Sequence, residues 1–183
     1  MSTPSISETY YLLADGMSDV VGRVTAAEWD APSPCEGWTA RDVLAHLIDT
    51  QREFLGRHGV DLPAAGDLSD PAAAWSSHVA AVRAALADPT VVAQQFETPF
   101  GAMTVGDALL QFYGFDLVAH RWDIAAVTDT PHRFSDTDLD SLEAAIAGWG
   151  DTLYSEGVCA RGPEAPADAD RQTRVLAALG RVG

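Results

Sequence analysis

The chain has 183 residues, enough for one domain with a hydrophobic core, and its apolar share of 47% and charged share of 21% are those of an ordinary globular protein. Its 27 acids outweigh 11 bases, all of them Arg, for a formal net charge of −16. So negative a surface repels phosphate backbones and anionic lipid, which argues against nucleic acid and membranes as partners, and no apolar run is long enough to span a bilayer.

No charged and then apolar leader precedes a small-residue cleavage site; Ser2 to Thr9 is polar and runs straight into an amphipathic stretch. Cys35 and Cys159 form no C-x-x-C pair, which excludes a cysteine-based structural zinc site. The expectation is a single domain over 1–183 in the cytoplasm, with two lone thiols in a reducing compartment.

Ile6 to Val24 reads as a first helix, because Tyr10, Leu13, Met17, Val20, Val21 and Val24 recur at three- and four-residue steps. Ala31-Pro32-Ser33-Pro34 then breaks the chain. Thr39 opens a second helix, with Asp42 three residues on in a capping-box pattern and an apolar stripe of Val43, Leu44, Leu47, Ile48 and Leu55. It ends within Gly56 to Gly66. Asp70-Pro71 begins a third helix to about Ala87, with Trp75, Val79, Val82 and Leu86 facing inward. From Val91 to Met103, with Pro99-Phe100-Gly101 inside it, the pattern changes to a short hairpin or structured loop. A fourth helix runs from Thr104 to about Val127, and Ser135 with Asp138 caps a fifth that reaches Gly148. Gly162 to Ala169 reads as a linker and Arg171 to Leu179 as a last short helix. Short connections and almost no strand predict an all-α bundle.

The fourth helix carries the chemistry. At 100° per residue, Leu109, Tyr113, Leu117, Ile124 and Val127 share one arc with Val105, Asp116 falls inside it, and His120 lies near its middle. An acid and an imidazole thus point toward the core together. A buried carboxylate without a partner costs several kcal/mol, so Asp116 needs an arginine, a capping backbone or a metal ion. Residues four apart stack one turn apart, as the two histidines of H-E-x-x-H helices do when they chelate zinc. His46, in mid-helix on the second helix, is the candidate third ligand, although it stands at the edge of that stripe. Two nitrogens and an oxygen suit Zn, Ni or Fe as the divalent ion and leave a fourth position for water or substrate. His58 and His132, in Gly- or Pro-containing loops, are expected to be solvated, and His78, beside serines, to lie on the surface.

Pro34 to Leu47 (PCEGWTARDVLAHL) and Asp116 to Ala125 (DLVAHRWDIA) resemble the DinB-like metal-binding superfamily, and within it the branch of mycothiol-dependent maleylpyruvate isomerases and their actinobacterial relatives. The closing segment APADADRQTRVLAALGR is similar to that branch as well. The resemblance implies a four-helix bundle with a long crossover and one metal ion held by three residues. The histidine of the first helix pair falls on His46, and the acid-then-histidine pair falls on Asp116 and His120. It also implies thiol transfer, in which the metal binds a low-molecular-weight thiol such as mycothiol and lowers its pKa for attack on a small electrophile. The isomerases proper place a glutamate where this chain has Asp116 and carry a further C-terminal domain, so the isomerase reaction itself is not carried over.

Three readings therefore stand at this stage. The chain is a metal-dependent, thiol-using transferase or isomerase, a non-catalytic bundle that binds a metal or small molecule, or a structural protein with Asp116 paired to an arginine. Its partners are a small-molecule thiol and an electrophile, and a homodimer stays open. Trp38 reads as a hydrophobic staple at the entry to the second helix. Asp123 reads as a local hydrogen-bond partner or an orienter of a metal ligand. Cys35 reads as a small buried hydrophobe or a reactive thiol.

Overall fold

The computed structural model describes residues 4–98, 101–130, 132–155 and 158–181, and in it helices begin where short polar side chains can accept from free backbone N–H groups. Helix α1 (Ile6–Val21) starts in a capping box between Ser5 and Glu8, and α2 (Ala40–Arg57) in one between Thr39 and Asp42. Asp70 caps α3 (Pro71–Leu86), whose first residue is a proline at a position that needs no N–H donor. A short α4 (Pro89–Ala93) leads into an antiparallel hairpin of β1 (Gln95–Thr98) and β2 (Gly101–Thr104), in which Gln95 faces Thr104 and Thr98 faces Gly101. The predicted hairpin is thus present, while Pro99 and Phe100 lie outside the described residues.

The predicted fourth helix is one helical stretch in three parts. It comprises α5 (Val105–Ala108), a π-helical segment (Leu109–Gly114) and α6 (Phe115–Ala125). The capping box of Ser135 and Asp138 opens α7 (Asp136–Trp149), and Asp170 caps α8 (Arg171–Ala178).

Helix α1 packs against α3 and α6, and α2 packs against the same two, so these sequence neighbours stand at opposite corners of a four-helix arrangement. Tyr10 and Met17 of α1, Leu44 and Leu47 of α2, Trp75 of α3 and Leu117 and Ile124 of α6 meet in one core. Each such side chain contributes roughly 1.5–3 kcal/mol by leaving water. The far side of α6, with Val118 and Ala119, forms a second core with Leu139 and Leu142 of α7 and Val175 and Leu176 of α8. Helix α6 is therefore gripped from both sides, and it is the element that carries the acid–histidine pair. Among the described residues no helix is long and apolar enough to cross a membrane.

Three histidines lie elsewhere than expected. His78 is buried, not on the surface: it sits one turn from Trp75 and Val82 on the apolar stripe of α3, and its Nε2 is 3.1 Å from Gln51 Oε1. The same Gln51 oxygen accepts from the Tyr10 hydroxyl at 2.6 Å, which gives the core a small polar knot. His58 is not a solvated loop residue but the C-cap of α2, with its ring on Phe54 and Phe96. His132 is half-buried against Phe134.

Candidate metal centre

Two pieces of local structure deliver the site. The first is the loop before α2. Trp38 N–H donates to the Cys35 carbonyl, closing a turn with Gly37 at φ 80° as its third residue, the type II pattern that calls for glycine there. A bridge between Pro32 and Thr39 fixes the base of this loop. The turn lays the Trp38 indole over the site, 5.0 Å from the His46 ring and 6.4 Å from the His120 ring. Trp38 is 37% exposed, so it serves as a wall of the site and not as a buried staple.

The second is the π-helical segment one turn before Asp116. A π turn bonds five residues back instead of four, so it holds extra residues and rotates everything beyond it relative to a regular helix. Angles counted at 100° per residue from Val105 therefore overshoot at Asp116. The segment explains why Asp116 is not in the core: its side chain is 29% exposed, beside His46 at 30%, on the rim of the bundle. The fully buried acid of α6 is Asp123.

His46, Asp116 and His120 converge. One donor atom from each lies within 4.8 Å of the other two, and His46 Nε2 is 3.6 Å from Asp116 Oδ2. That separation exceeds a hydrogen bond and fits shared ligation, because a tetrahedral ion with bonds of about 2.1 Å sets its ligands roughly 3.4 Å apart. The His46 and His120 rings stand 5.4 Å apart, nearly edge to face. Among the described residues Asp116 pairs with His46 and with no arginine, so the arginine partner expected of it in the structural reading is not there.

Beneath the rim lies a buried polar layer. His120 Nδ1 is 2.8 Å from Asp123 Oδ2, so the ring offers Nε2 as its free ligand atom. Arg181 holds the same carboxylate with two prongs, Nε to Oδ1 at 3.0 Å and Nη2 to Oδ2 at 2.6 Å. Burial alone would push the Asp123 carboxyl up, but the hydrogen bonds from His120 and Arg181 outweigh it and hold the group at about 2. Cys35 donates its thiol to Asp123 Oδ2 at 3.2 Å. Burial and the Asp123 charge push that thiol up to about 12, so it stays protonated and is no thiolate nucleophile. Cys35, His120 and Asp123 form a second cluster with donor atoms within 4.8 Å. The Arg181 guanidinium already lies 3.4 Å from the Cys35 sulfur and supplies the cation there.

Asp123 thus bonds locally, to His120 one turn back, which is the first of its two readings. Arg181 was not anticipated, because nothing in sequence spacing links the end of α8 to α6.

Residues 12–125 match the mycothiol maleylpyruvate isomerase N-terminal domain. The chain belongs to this family. The matched span of this N-terminal-domain family contains Cys35, His46, Asp116, His120 and Asp123, and Arg181 lies beyond it. The fold is accordingly the DinB-like helical one. Two uncharacterized proteins of Mycobacterium tuberculosis, MT0763 of strain CDC 1551 / Oshkosh and Rv0738 of strain H37Rv, are each 27% identical over 158 residues, covering 83% of this chain and 80% of the relative. No solved structure matches.

Proposed function

We propose that His46, Asp116 and His120 hold a divalent, zinc-like ion and that the protein uses it to transfer a low-molecular-weight thiol, such as mycothiol, to a small electrophile. The observation that carries the reading is the division of labour at His120. Its Nδ1 is committed to Asp123, which leaves the other nitrogen for a trio, with His46 and Asp116 partly exposed and His120 nearly buried, whose donor spacing suits one ion. Three protein ligands on an open rim leave a coordination position for a second molecule. When bound, such an ion lowers the pKa of a coordinated thiol so that it is a thiolate near neutral pH.

The chain's own residues do the rest. Asp123 keeps His120 in one tautomer and one orientation. Trp38 covers the two imidazoles and gives the site an apolar wall. Tyr113, one turn before Asp116, is pushed up to about 12 by burial and the Asp116 charge and stays a neutral phenol. Neither cysteine is needed as a nucleophile, since Cys35 is protonated and burial likewise raises Cys159. Thiol conjugation to a panel of small electrophiles, run with metal-loaded wild type, Cys35→Ser and His46→Ala, tests this. Turnover is expected to persist in Cys35→Ser and to vanish in His46→Ala. Turnover that survives His46→Ala and dies with Cys35→Ser would show the nucleophile to be the protein's own thiol. No turnover with any thiol would favour a non-catalytic metal-binding bundle.

A further inference from the structure

The last turn of α8 is built to send one side chain into the interior. The Gly180 N–H donates to the Ala177 carbonyl at 3.0 Å, and the Arg181 N–H reaches back to the Leu176 carbonyl at 2.8 Å. Those two bonds, with Gly180 at φ 79°, make a Schellman motif. Gly180 is also pressed against the backbone: a Cβ there would lie 2.5 Å from the Ala160 carbonyl oxygen, so no other residue fits without displacing the chain. The reversal turns Arg181 away from the helix axis and under α6. Its guanidinium then takes both oxygens of Asp123, a residue 58 positions earlier, in a fork-to-fork pair with both side chains withdrawn from solvent. The same Nη2 that bonds Asp123 Oδ2 also lies 3.4 Å from the Cys35 sulfur, in the loop that carries Trp38.

We propose that Arg181 is a positioning residue of the metal centre, acting through Asp123 on His120. This rests on the metal-centre reading given above. A carboxylate with two oxygens can hold an imidazole in one place only if its own rotation is stopped, and the bidentate arginine stops it. Without that pair Asp123 would keep its bond to His120 but lose its fixed plane. The ring would then sample positions in which Nε2 no longer faces His46 and Asp116. The C-terminal layer of α7 and α8 thereby becomes part of the site and not an appendage to the bundle.

The test compares wild type, Arg181→Met, Arg181→Lys and Arg171→Gln by two readouts. The first is zinc affinity, by competition with a chelating dye. The second is the His120 ring-nitrogen NMR signals of the metal-free protein at mildly alkaline pH. Arg171 ties the other end of α8 to Asp140 and Glu143 and makes no contact with Asp123, so its variant loosens the same helix without touching the network. Arg181→Met is expected to weaken zinc binding about 10- to 100-fold, the range for partners behind the ligands, and to mix the two His120 tautomers. Arg181→Lys keeps the charge without the fork and is expected to fall between, which preserves the test if the methionine variant folds poorly. Arg171→Gln is expected to match wild type in both readouts. Wild-type affinity and a single tautomer in Arg181→Met would overturn the proposal, as would equal losses in Arg171→Gln. Zinc that fails to bind wild type would overturn the metal reading instead, and the NMR readout would still show whether Arg181 fixes His120.

Discussion

Replacing His120 by alanine is expected to abolish stoichiometric zinc binding while leaving the fold intact. The two halves of that expectation have separate causes. The ring supplies one of three donors, and losing a ligand weakens a site more than the about 10- to 100-fold typical of an outer partner. The fold survives because Asp123 keeps both bonds from Arg181, so no unpaired charge is left buried. His58→Ala is the control, since His58 caps α2 and packs on Phe54 and Phe96 without approaching the trio. Metal content by elemental analysis and helicity by circular dichroism read the two halves independently. Equal metal in both variants would remove His120 from the site.

The second large effect is on stability against pH and comes from the core of the bundle. Burial, with a smaller push from Arg52, lowers the His78 pKa from its ordinary 6.5 to about 4. The folded protein thus holds His78 neutral where the unfolded chain would protonate it. Above about pH 6.5 both states carry a neutral ring and the contribution is intact. As pH falls from 6.5 toward 4 the unfolded state gains the proton first, and stability drops by about 2–3 kcal/mol over that window. His132 is lowered to about 4 in the same direction, but it is half-buried and adds less. Urea unfolding at a series of pH values should show this slope in wild type and most of it gone in His78→Gln. A slope unchanged by that substitution would place the proton uptake elsewhere.

Much of this architecture is legible in the residues. The caps at Thr39–Asp42, Thr104–Asp107 and Ser135–Asp138 are local, needing only a hydroxyl and a carboxylate three residues apart, and all three form. The apolar stripes of α2 and α3 are equally local. His78 was legible too: it follows the same three- and four-residue steps as Trp75 and Val82, and its serine neighbours mislead only if the period is ignored. Asp116 shows where periodicity stops being enough. A π-helical segment has no sequence signature of its own, yet it rotates the acid out of the core and onto the rim where His46 can meet it. The Arg181–Asp123 pair lies further still from local reading. Leu179-Gly180-Arg181 announces a glycine-ended helix, but the destination of the arginine depends on how α8 packs on α7, which only the folded chain defines.

The central claim is that one metal ion sits among His46, Asp116 and His120, and its most direct measurement is anomalous diffraction at the zinc edge from crystals of zinc-reconstituted protein. The account predicts one strong peak per chain, bounded by the two imidazoles and the Asp116 carboxylate, with Arg181 still paired to Asp123 beneath it. A peak instead at Cys35 and Asp123 with Arg181 displaced, or no peak within reach of the three side chains, would contradict it.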